Sequence, residues 1–337
     1  MVTDAGAFTR TVTSEAWRAE VTAWVHDALD SRGLRPDGPA RQTRVRPWST
    51  LLVLDTDGGR VWFKGGCRAA SHEPALQRLL AEIAPDQVDV PLAVETTRGW
   101  LLTADRGATL RERREPTAAD WSAVLTGFAH LQQDVAGRGP ELRTTGLPDC
   151  SPATVPGRFD VVLDRLRTLP SAHPAHLDEA TAAALDRARP AVVDAAAVLA
   201  ASPLPATLQH GDLHPGNVFE VDGQLRVFDL GDAQWAHPLE VLEVSSAVAR
   251  SGGVAWAPVE AAYREQWAHW LAVRGLPPVD DDPHRGWAAL RRAAGTVHAV
   301  NRSWAWCGAL AEATDAEWSE WGEAPGRHLS GLLRDQP

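Results

Sequence analysis

The sequence predicts an α+β protein with two lobes, in which a small strand-rich N-terminal lobe precedes a larger, mainly helical C-terminal lobe. Strand-forming residues and turns concentrate between residues 41 and 103, whereas helical periodicity dominates from Ala118 onward. The length of 337 residues also suits two lobes better than one domain of ordinary size. We therefore divide the chain into an N-terminal helix and linker at 1–40, a small lobe at 41–103 and a helical lobe at 104–337.

A helix over Glu15–Leu29 precedes the small lobe, because apolar residues recur there at helical spacing behind a Ser/Thr cap. Within the lobe, strand formers flank Asp55–Gly59, a sequence typical of hairpin turns. Leucines on one face of the following segment indicate a helix. The predicted elements are strands over Thr43–Leu54, bent at Pro47, and Arg60–Lys64, a helix over His72–Ile83, and a hairpin of Leu92–Glu95 with Trp100–Thr103.

The helical lobe is interrupted by a single predicted strand pair, Val218–Val221 and Leu225–Phe228, joined by an Asp-Gly turn. Apolar residues at helical spacing predict the remaining elements. Proline lacks the N–H that a helix interior needs, so Pro190 should kink or split the helix that contains it. The predicted helices are Trp121–Val135, Arg158–Leu169, Asp178–Ala201, Leu239–Arg250, Pro258–Val273, Arg285–Trp304 and Thr314–Leu333.

Composition excludes several classes of protein. A net charge of −11 and a pI near 5.5 argue against a nucleic-acid partner, and they are compatible with a cationic substrate. The three cysteines are far apart and show no zinc-binding spacing, which favours a reducing, cytoplasmic location. Residues 1–13 have no apolar stretch typical of a secretory signal, and no run of about 18 apolar residues predicts a membrane span.

One segment carries the strongest chemical signal, the decapeptide Gln209–Val218 with the sequence QHGDLHPGNV. Asp212 and Asn217 lie on its Gly/Pro-containing loop, and Asp229 follows the second strand of the next hairpin. Because such a hairpin can bring Asn217 and Asp229 together, their amide and carboxylate oxygens form a site suited to Mg²⁺. Asp212 could then accept a proton from a hydroxyl group. A series of Asx turns is the structural alternative.

His210–Asn217, with the sequence HGDLHPGN, resembles the catalytic loop of the aminoglycoside phosphotransferase family, whose members are small-molecule kinases with a protein-kinase-like, two-lobed fold. The resemblance implies that Asp212 is the catalytic base, that Asn217 is a metal ligand and that Asp229 is the principal metal-binding aspartate. Asp232 then belongs to an Asp-x-x-Asp pattern shared by these kinases.

The resemblance further implies a lysine on the third strand of the small lobe, which contacts the α- and β-phosphates of the nucleotide. Lys64 lies there and is the only lysine in the chain. Glu73, at the start of the next helix, is implied as its ion-pair partner. A solvated strand end and a favourable acid in a first helical turn are the structural alternatives. The hinge should lie at 100–107, where the backbone of Leu102 and Ala104 is expected to contact the nucleotide base.

Two departures from protein kinases concern the phosphates and the acceptor. No Gly-x-Gly-x-x-Gly sequence is present, and Val45–Thr50 stands in its place, which makes the Ser49 and Thr50 hydroxyls the candidate phosphate donors. Gly211 replaces the arginine that reads a phosphorylated activation loop in protein kinases. Only eight residues separate Asp229 from Pro238, too few for an activation loop. Both features favour a small soluble acceptor over a protein.

Three further side chains are candidate supporting residues. His210 is expected to hold the catalytic loop through backbone hydrogen bonds. His214 either contacts phosphate or acceptor, or only packs. Asp232 either takes part in the site or caps the helix that follows. Eight of the 15 tryptophans lie between Trp256 and Trp321, where they form core or, as the alternative, stack on a sugar or a cation.

We therefore expect a small-molecule kinase that transfers the γ-phosphoryl group of ATP or GTP, with Mg²⁺, to a hydroxyl group. The acceptor would be a small aminated compound such as an aminoglycoside or another antibiotic. A kinase of an amino sugar or amino alcohol is one alternative, and a nucleotide-binding pseudokinase that regulates a partner is another. No nucleic-acid, membrane or protein partner is expected.

Overall fold

A five-stranded antiparallel sheet forms the small lobe, with strand order β1-β2-β3-β5-β4. The chain is described by a computed structural model that covers residues 6–280 and 282–333. The first elements in chain order are α1 (Phe8–Val12), α2 (Glu15–Asp30), β1 (Arg41–Val45), β2 (Ser49–Thr56), β3 (Gly59–Gly66), α3 (Glu73–Ile83), β4 (Ala93–Glu95) and β5 (Trp100–Ala104).

One face of this sheet is covered by α2, which begins at the cap Ser14, whose hydroxyl accepts a hydrogen bond from the Trp17 N–H. Its buried side packs on alternate residues of β2, β3 and β5, including Phe63 and Leu102. Side chains alternate between the two faces of a strand, so the residues in between point to the opposite face. The opposite face is therefore left to the cleft between the lobes.

Helix α3 connects the two lobes. Leu76 and Leu80 on its apolar face are fully buried within the core of the helical lobe, although the helix lies between two strands of the small lobe in sequence. This packing fixes the beginning of α3, and with it Glu73, against the helical lobe.

The helical lobe contains the remaining elements, and α11 packs mainly against α7, α8 and α13. In chain order they are α4 (Leu110–Arg113), α5 (Ala118–Val135), α6 (Gly139–Arg143), α7 (Val155–Arg167), α8 (Glu179–Ala200), β6 (Thr207–Gln209), β7 (Val218–Val221), β8 (Gln224–Val227), β9 (Gln234–Ala236), α9 (Val241–Ser251), α10 (Trp256–Val273), α11 (Trp287–Ala309), α12 (Asp315–Trp321) and α13 (Glu323–Leu329). The fold is the predicted α+β, two-lobed arrangement.

The short helices α1, α4 and α6 were not predicted, and three further details differ from the prediction. A second strand pair, β6 with β9, flanks the β7–β8 hairpin, and its three-residue strands are too short for alternation to reveal. Helix α8 is not split, because Pro190 lies within a helix held by buried residues on both sides of it. The predicted last helix is instead α12 and α13, which meet at Gly322; a Cβ atom there would lie 2.3 Å from the Trp318 carbonyl.

The core of the helical lobe includes three of the tryptophans that we expected there, Trp256, Trp267 and Trp287. The three cysteines are buried free thiols. Within the described part of the chain, no helix has the length and apolar character needed to cross a membrane.

We expect the buried His237 to make the protein less stable in acid. Burial lowers the pKa of this side chain from 6.5 to about 3, so the unfolded chain binds a proton that the folded chain excludes between these values. The contribution of His237 to the free energy of unfolding should therefore fall as the pH falls from 6.5, by up to about 1.4 kcal/mol per pH unit.

The variant His237→Asn removes the titrating group and keeps a capping side chain, since His237 Nδ1 accepts a hydrogen bond from the Leu239 N–H. Urea unfolding between pH 5 and pH 7 should give a shallower pH dependence for this variant than for the wild type. The exposed His284, changed to Asn, is the control. Equal slopes for all three proteins would contradict the assignment to His237.

Candidate active site

The cleft between the lobes consists of two cavities that meet at Lys64 and Asp229. The sheet-side cavity, of about 1680 Å³, lies under the free face of the sheet and above the β7–β8 hairpin. The helix-side cavity, of about 810 Å³, lies between the β1–β2 turn, the loop of Asp212 and helix α11. A molecule bound in one cavity would therefore meet a molecule bound in the other at the Lys64–Asp229 junction.

A row of residues crosses the free face of the sheet from strand to strand. Arg44 is paired with Leu51, Leu51 with Lys64, and Lys64 with Leu101. All four side chains line the sheet-side cavity. Neighbouring strands are about 4.8 Å apart, so Arg44 and Lys64 lie roughly 10 Å apart across the row. The face thus presents two cations to the cavity, with an apolar residue between them.

Lys64 is held by two carboxylates. Its Nζ atom lies 2.7 Å from each Glu73 oxygen and 2.5 Å from Asp229 Oδ1. Burial opposes the charged form, but the charges of Asp229 and Glu73 outweigh it and raise the pKa of Lys64. Glu73 Oε1 also accepts a hydrogen bond of 2.9 Å from the Leu230 N–H. Glu73 therefore orients both the lysine and the segment that follows Asp229.

The Asp212 carboxylate is kept ionised by its neighbours. Burial acts to raise its pKa, but His214 and Arg302 lower the pKa below its ordinary value. His214 Nε2 lies 3.6 Å from Asp212 Oδ2, and His214 Nδ1 accepts a hydrogen bond from the Gly216 N–H. That hydrogen bond leaves the proton of a neutral His214 ring on Nε2, facing Asp212. His214 thus contacts Asp212 and lines neither cavity.

His210 makes the backbone contacts that we expected. Its ring is fully buried; Nδ1 accepts a hydrogen bond from the Asp212 N–H, and Nε2 lies 3.0 Å from the Phe228 carbonyl. Burial lowers the pKa of His210, so the ring stays neutral. The side chain ties the loop of Asp212 to the end of β8.

Asn217 and Asp229 are brought together at the open end of the β7–β8 hairpin, where the Phe228 N–H donates to the Asn217 carbonyl over 3.1 Å. The Asn217 Nδ2 atom donates to the Asp212 carbonyl over 2.9 Å, which leaves its amide oxygen available. Asp229 has a φ of 63°, a left-handed conformation that aspartate tolerates better than most residues. Lys64 lowers the pKa of Asp229 to about 2, against the opposing effect of burial.

These two side chains fit a Mg²⁺ ion that reaches the site with phosphates. Among residues 6–280 and 282–333, no cluster of three or more His, Cys, Asp or Glu side chains could hold a metal on its own. An amide oxygen and one ionised carboxylate match the preference of Mg²⁺ for few protein oxygens completed by phosphate and water.

Asp232 lines the helix-side cavity and does not cap the following helix. Its Oδ2 atom lies 2.7 Å from Nη1 of Arg302, which projects from α11. The cap of the short 3-10 turn at Pro238–Glu240, which precedes α9, is His237 instead. Of the two alternatives for Asp232, the structure therefore excludes the capping role.

Two of the expected nucleotide contacts are opposed by hydrogen bonds within the small lobe, which engage the Leu102 backbone and the Thr50 hydroxyl. Leu102 has no exposed surface, packs on the α2 side of the sheet, and accepts a hydrogen bond from the Leu92 N–H. Thr50 is equally buried, and its hydroxyl is engaged by the Arg44 carbonyl and the Gln42 side chain. Neither side chain faces the sheet-side cavity, because their neighbours Leu51, Leu101 and Thr103 point to that face.

The other two expected contacts do line the cleft. Ala104 borders the sheet-side cavity. Ser49 borders the helix-side cavity instead, and only 2% of its surface is exposed. The side chain that reaches the position expected of Ser49 and Thr50 is Arg44, whose Nε atom is buried without a hydrogen-bond partner.

Sequence reasoning missed Arg44 and Arg302. A register shift between Gln42 and Arg44 decides which face of β1 carries the arginine, and no residue in this strand marks such a shift. Arg302 lies 70 residues from Asp232, and its helical periodicity alone does not reveal an ion pair across that distance. Arginine is frequent in this chain, so composition does not single out Arg44 or Arg302 as it singles out the one lysine, Lys64.

The left-handed backbone of Gly211 explains why an arginine cannot stand there. Its φ is 84°, and a Cβ atom would lie 2.2 Å from the Asp232 carbonyl oxygen. We expect Gly211→Ala to lower the free energy of unfolding by about 1–3 kcal/mol more than the control variant Gly223→Ala does, because the added methyl group overpacks the site. The substitution should also abolish activity, because it displaces Asp212.

Gly223→Ala is the matched control, because Gly223 has a φ of 76° but nothing within 4 Å of its Cβ position. That variant should lose only about 1–2 kcal/mol, the cost of the left-handed conformation. Urea titrations of both variants measure the difference. Equal losses of unfolding free energy in the two variants would contradict the predicted overpacking against Asp232.

Comparison with known proteins identifies the class. The phosphotransferase enzyme family, APH, matches the chain over residues 68–276, and the chain belongs to this family. It is a protein-kinase-like small-molecule phosphotransferase whose acceptor group is an alcohol. A search of curated proteins found no match.

Solved structures share the fold at low sequence identity. The macrolide 2'-phosphotransferase MphH from Brachybacterium faecium is 17% identical with a TM-score of 0.57, and the match covers 94% of this chain and 99% of that one. An ethanolamine kinase from Plasmodium vivax is 12% identical with a TM-score of 0.62, covering 98% and 92%. A spectinomycin phosphotransferase, solved with ADP and spectinomycin, is 11% identical with a TM-score of 0.50, covering 93% and 97%.

Proposed function

We propose that this protein transfers the γ-phosphoryl group of ATP or GTP to a hydroxyl group of a small acceptor, such as an aminoglycoside or another antibiotic. The observation that carries this proposal is the meeting of two cavities at Lys64 and Asp229, with Asp212 on the helix side. A nucleotide in the sheet-side cavity would end at this junction, and an acceptor hydroxyl would reach it from the other side.

The sheet-side cavity suits a nucleotide in shape and charge. Leu51 and Leu101 form its apolar roof, and Phe219 and Phe228, stacked 4.2 Å apart, form its floor. A flat base fits between such surfaces. The backbone around Ala104 borders the cavity where the base edge would lie. The phosphates would then extend toward Arg44 and Lys64, the two cations of the cross-strand row. These cations would bind the phosphates in place of a glycine-rich loop.

The ionised Asp212 would accept a hydrogen bond from the acceptor hydroxyl and take its proton late in the transfer. Phosphoryl transfer has a loose transition state, so orientation of the hydroxyl contributes more than the basicity of the carboxylate. Lys64, held by Glu73, would neutralise phosphate charge. Asn217 and Asp229 would hold Mg²⁺, which supplies charge stabilisation to the phosphate oxygens when bound.

A kinase of an amino sugar or amino alcohol is the second candidate, supported by the fold shared with both an antibiotic phosphotransferase and an ethanolamine kinase. A pseudokinase role is disfavoured because the four expected residues are all present: Lys64, Asp212, Asn217 and Asp229.

The test is release of nucleoside diphosphate from Mg·ATP and Mg·GTP with a panel of antibiotics, amino sugars and amino alcohols. We expect release that depends on one acceptor class and that is absent with no acceptor. Failure of Mg²⁺-dependent nucleotide binding, measured by calorimetry, would overturn the proposal.

A further inference from the structure

The helix-side cavity contains fewer free negative charges than its aspartates suggest. It is lined by the carboxylates of Asp212, Asp229 and Asp232. Asp229 is paired with Lys64 at 2.5 Å, and Asp232 is paired with Arg302 at 2.7 Å. Lys64 is shared with Glu73, which lines the sheet-side cavity only. Among these three aspartates, and within the described residues, Asp212 alone has no lysine or arginine within ion-pair distance, although Arg302 lies close enough to lower its pKa. Asp212 is therefore the carboxylate of this cavity that is free to face an acceptor.

The rest of the cavity wall is mainly apolar and aromatic. Trp48 reaches into it from the β1–β2 turn, and its ring is held edge-on by Trp306 at 5.4 Å and Trp321 at 5.2 Å. Trp304, on α11, also lines the cavity and is 38% exposed. The remaining apolar lining residues are small: Cys67, Ala69, Ala70, Pro148, Ala233, Ala305 and Ala309.

The net charge of −11 is therefore not concentrated at the place where an acceptor would bind. An ammonium group transferred from water to an apolar wall without a counter-charge costs free energy, and each further ammonium group adds to that cost. Apolar acceptor surface buried against the two indole rings is favourable. Charge and shape thus select against a polycation.

We propose that, within the acceptor class proposed above, the acceptor is a small alcohol with an apolar body and no more than one positive charge, which removes the polycationic aminoglycosides from that class. The proposal rests on the proposed phosphotransferase function and narrows its acceptor class. The single charge, where present, would face Asp212 or the edge of the cavity, and the apolar body would lie against Trp48 and Trp304.

Three probe classes test this proposal by calorimetry on the protein saturated with Mg²⁺ and a non-hydrolysable ATP analogue. They are neutral alcohols with an aromatic or branched body, the corresponding amino alcohols with one amine, and neamine, which carries four amines. We expect binding of members of the first two classes at least tenfold tighter than that of neamine.

Two substitutions, one in α11 and one in the loop after it, test whether charge in the cavity determines this selectivity. Ala305→Glu adds a carboxylate to the cavity wall, whereas Ala311→Glu adds the same charge at an exposed position outside the cavity. An added charged partner is worth a factor of roughly ten or more when desolvated, so Ala305→Glu should raise neamine affinity relative to the singly charged alcohols by that order. Ala311→Glu should leave the ratio unchanged.

Binding of neamine as tight as that of the singly charged alcohols would overturn the proposal while leaving the kinase function intact. Absence of binding by every neutral and singly charged probe, with the nucleotide analogue bound, would also overturn it. Loss of nucleotide binding itself would instead reject the underlying function.

Discussion

Replacement of Asp212 by Asn should lower the rate of acceptor phosphorylation by roughly 10²- to 10⁴-fold, the usual contribution of a positioned general base. The amide has the shape of the carboxylate, but it is a weaker, uncharged acceptor for the hydrogen bond that orients the hydroxyl, and it cannot take the proton. Asp212 lines the helix-side cavity and not the sheet-side cavity, so nucleotide affinity should change by no more than about twofold. Acceptor-dependent release of nucleoside diphosphate and calorimetry with Mg·ATP measure the two effects.

Asp222→Asn is the control, since Asp222 lies exposed in the turn of the β7–β8 hairpin with a φ of 52°, which Asn also tolerates. It should behave as the wild type. A variant of Asp212 that keeps normal turnover would show that another group positions the hydroxyl.

Replacement of Asp229 by Asn should weaken nucleotide binding as well as turnover. The Asp229 carboxylate would hold Mg²⁺, and it is also the nearer of the two carboxylates that position Lys64. The substitution removes both functions. We expect the affinity for Mg·ATP to fall at least tenfold, toward the affinity that the wild type shows for ATP in excess EDTA. Because the pKa of Asp229 is about 2, its carboxylate should remain charged from pH 5 to pH 9. The difference in Mg·ATP affinity between the wild type and the variant should therefore persist over that range.

Comparison of the two aspartate variants separates the roles. Asp212→Asn should be defective in turnover alone, and Asp229→Asn should be defective in metal-dependent binding and turnover. An Asp229 variant whose nucleotide affinity still responds to Mg²⁺ as in the wild type would refute the assignment of the metal site.

The parts of the site that local sequence determines were predictable. Asp212, Asn217 and Asp229 lie within a short stretch whose loop, hairpin and turn leave little choice of geometry, and the structure brings them together. Lys64 and Glu73 needed one more element, a strand followed by a helix, and their ion pair is formed.

What could not be predicted depends on strand phase and on distant packing. A change of phase by one residue exchanges the two faces of a strand. Leu101 and Thr103 line the cleft, whereas Leu102, whose backbone we expected to contact the base, packs on the other face. The register shift in β1 turns Arg44 toward the cleft, and amino-acid composition gives no sign of such a shift. Arg302 reaches Asp232 only because α11 packs beside that loop.

The ion pair of Lys64 with Glu73 is complete in the unmodified chain, and Glu73 is fastened at the same time to the Leu230 backbone. Many protein kinases regulate their rate by making and breaking the corresponding contact. Here α3 is buried in the core of the other lobe, so a comparable displacement would expose Leu76 and Leu80 to water. We therefore expect flux through this reaction in the cell to follow the amount of protein synthesised and the supply of acceptor.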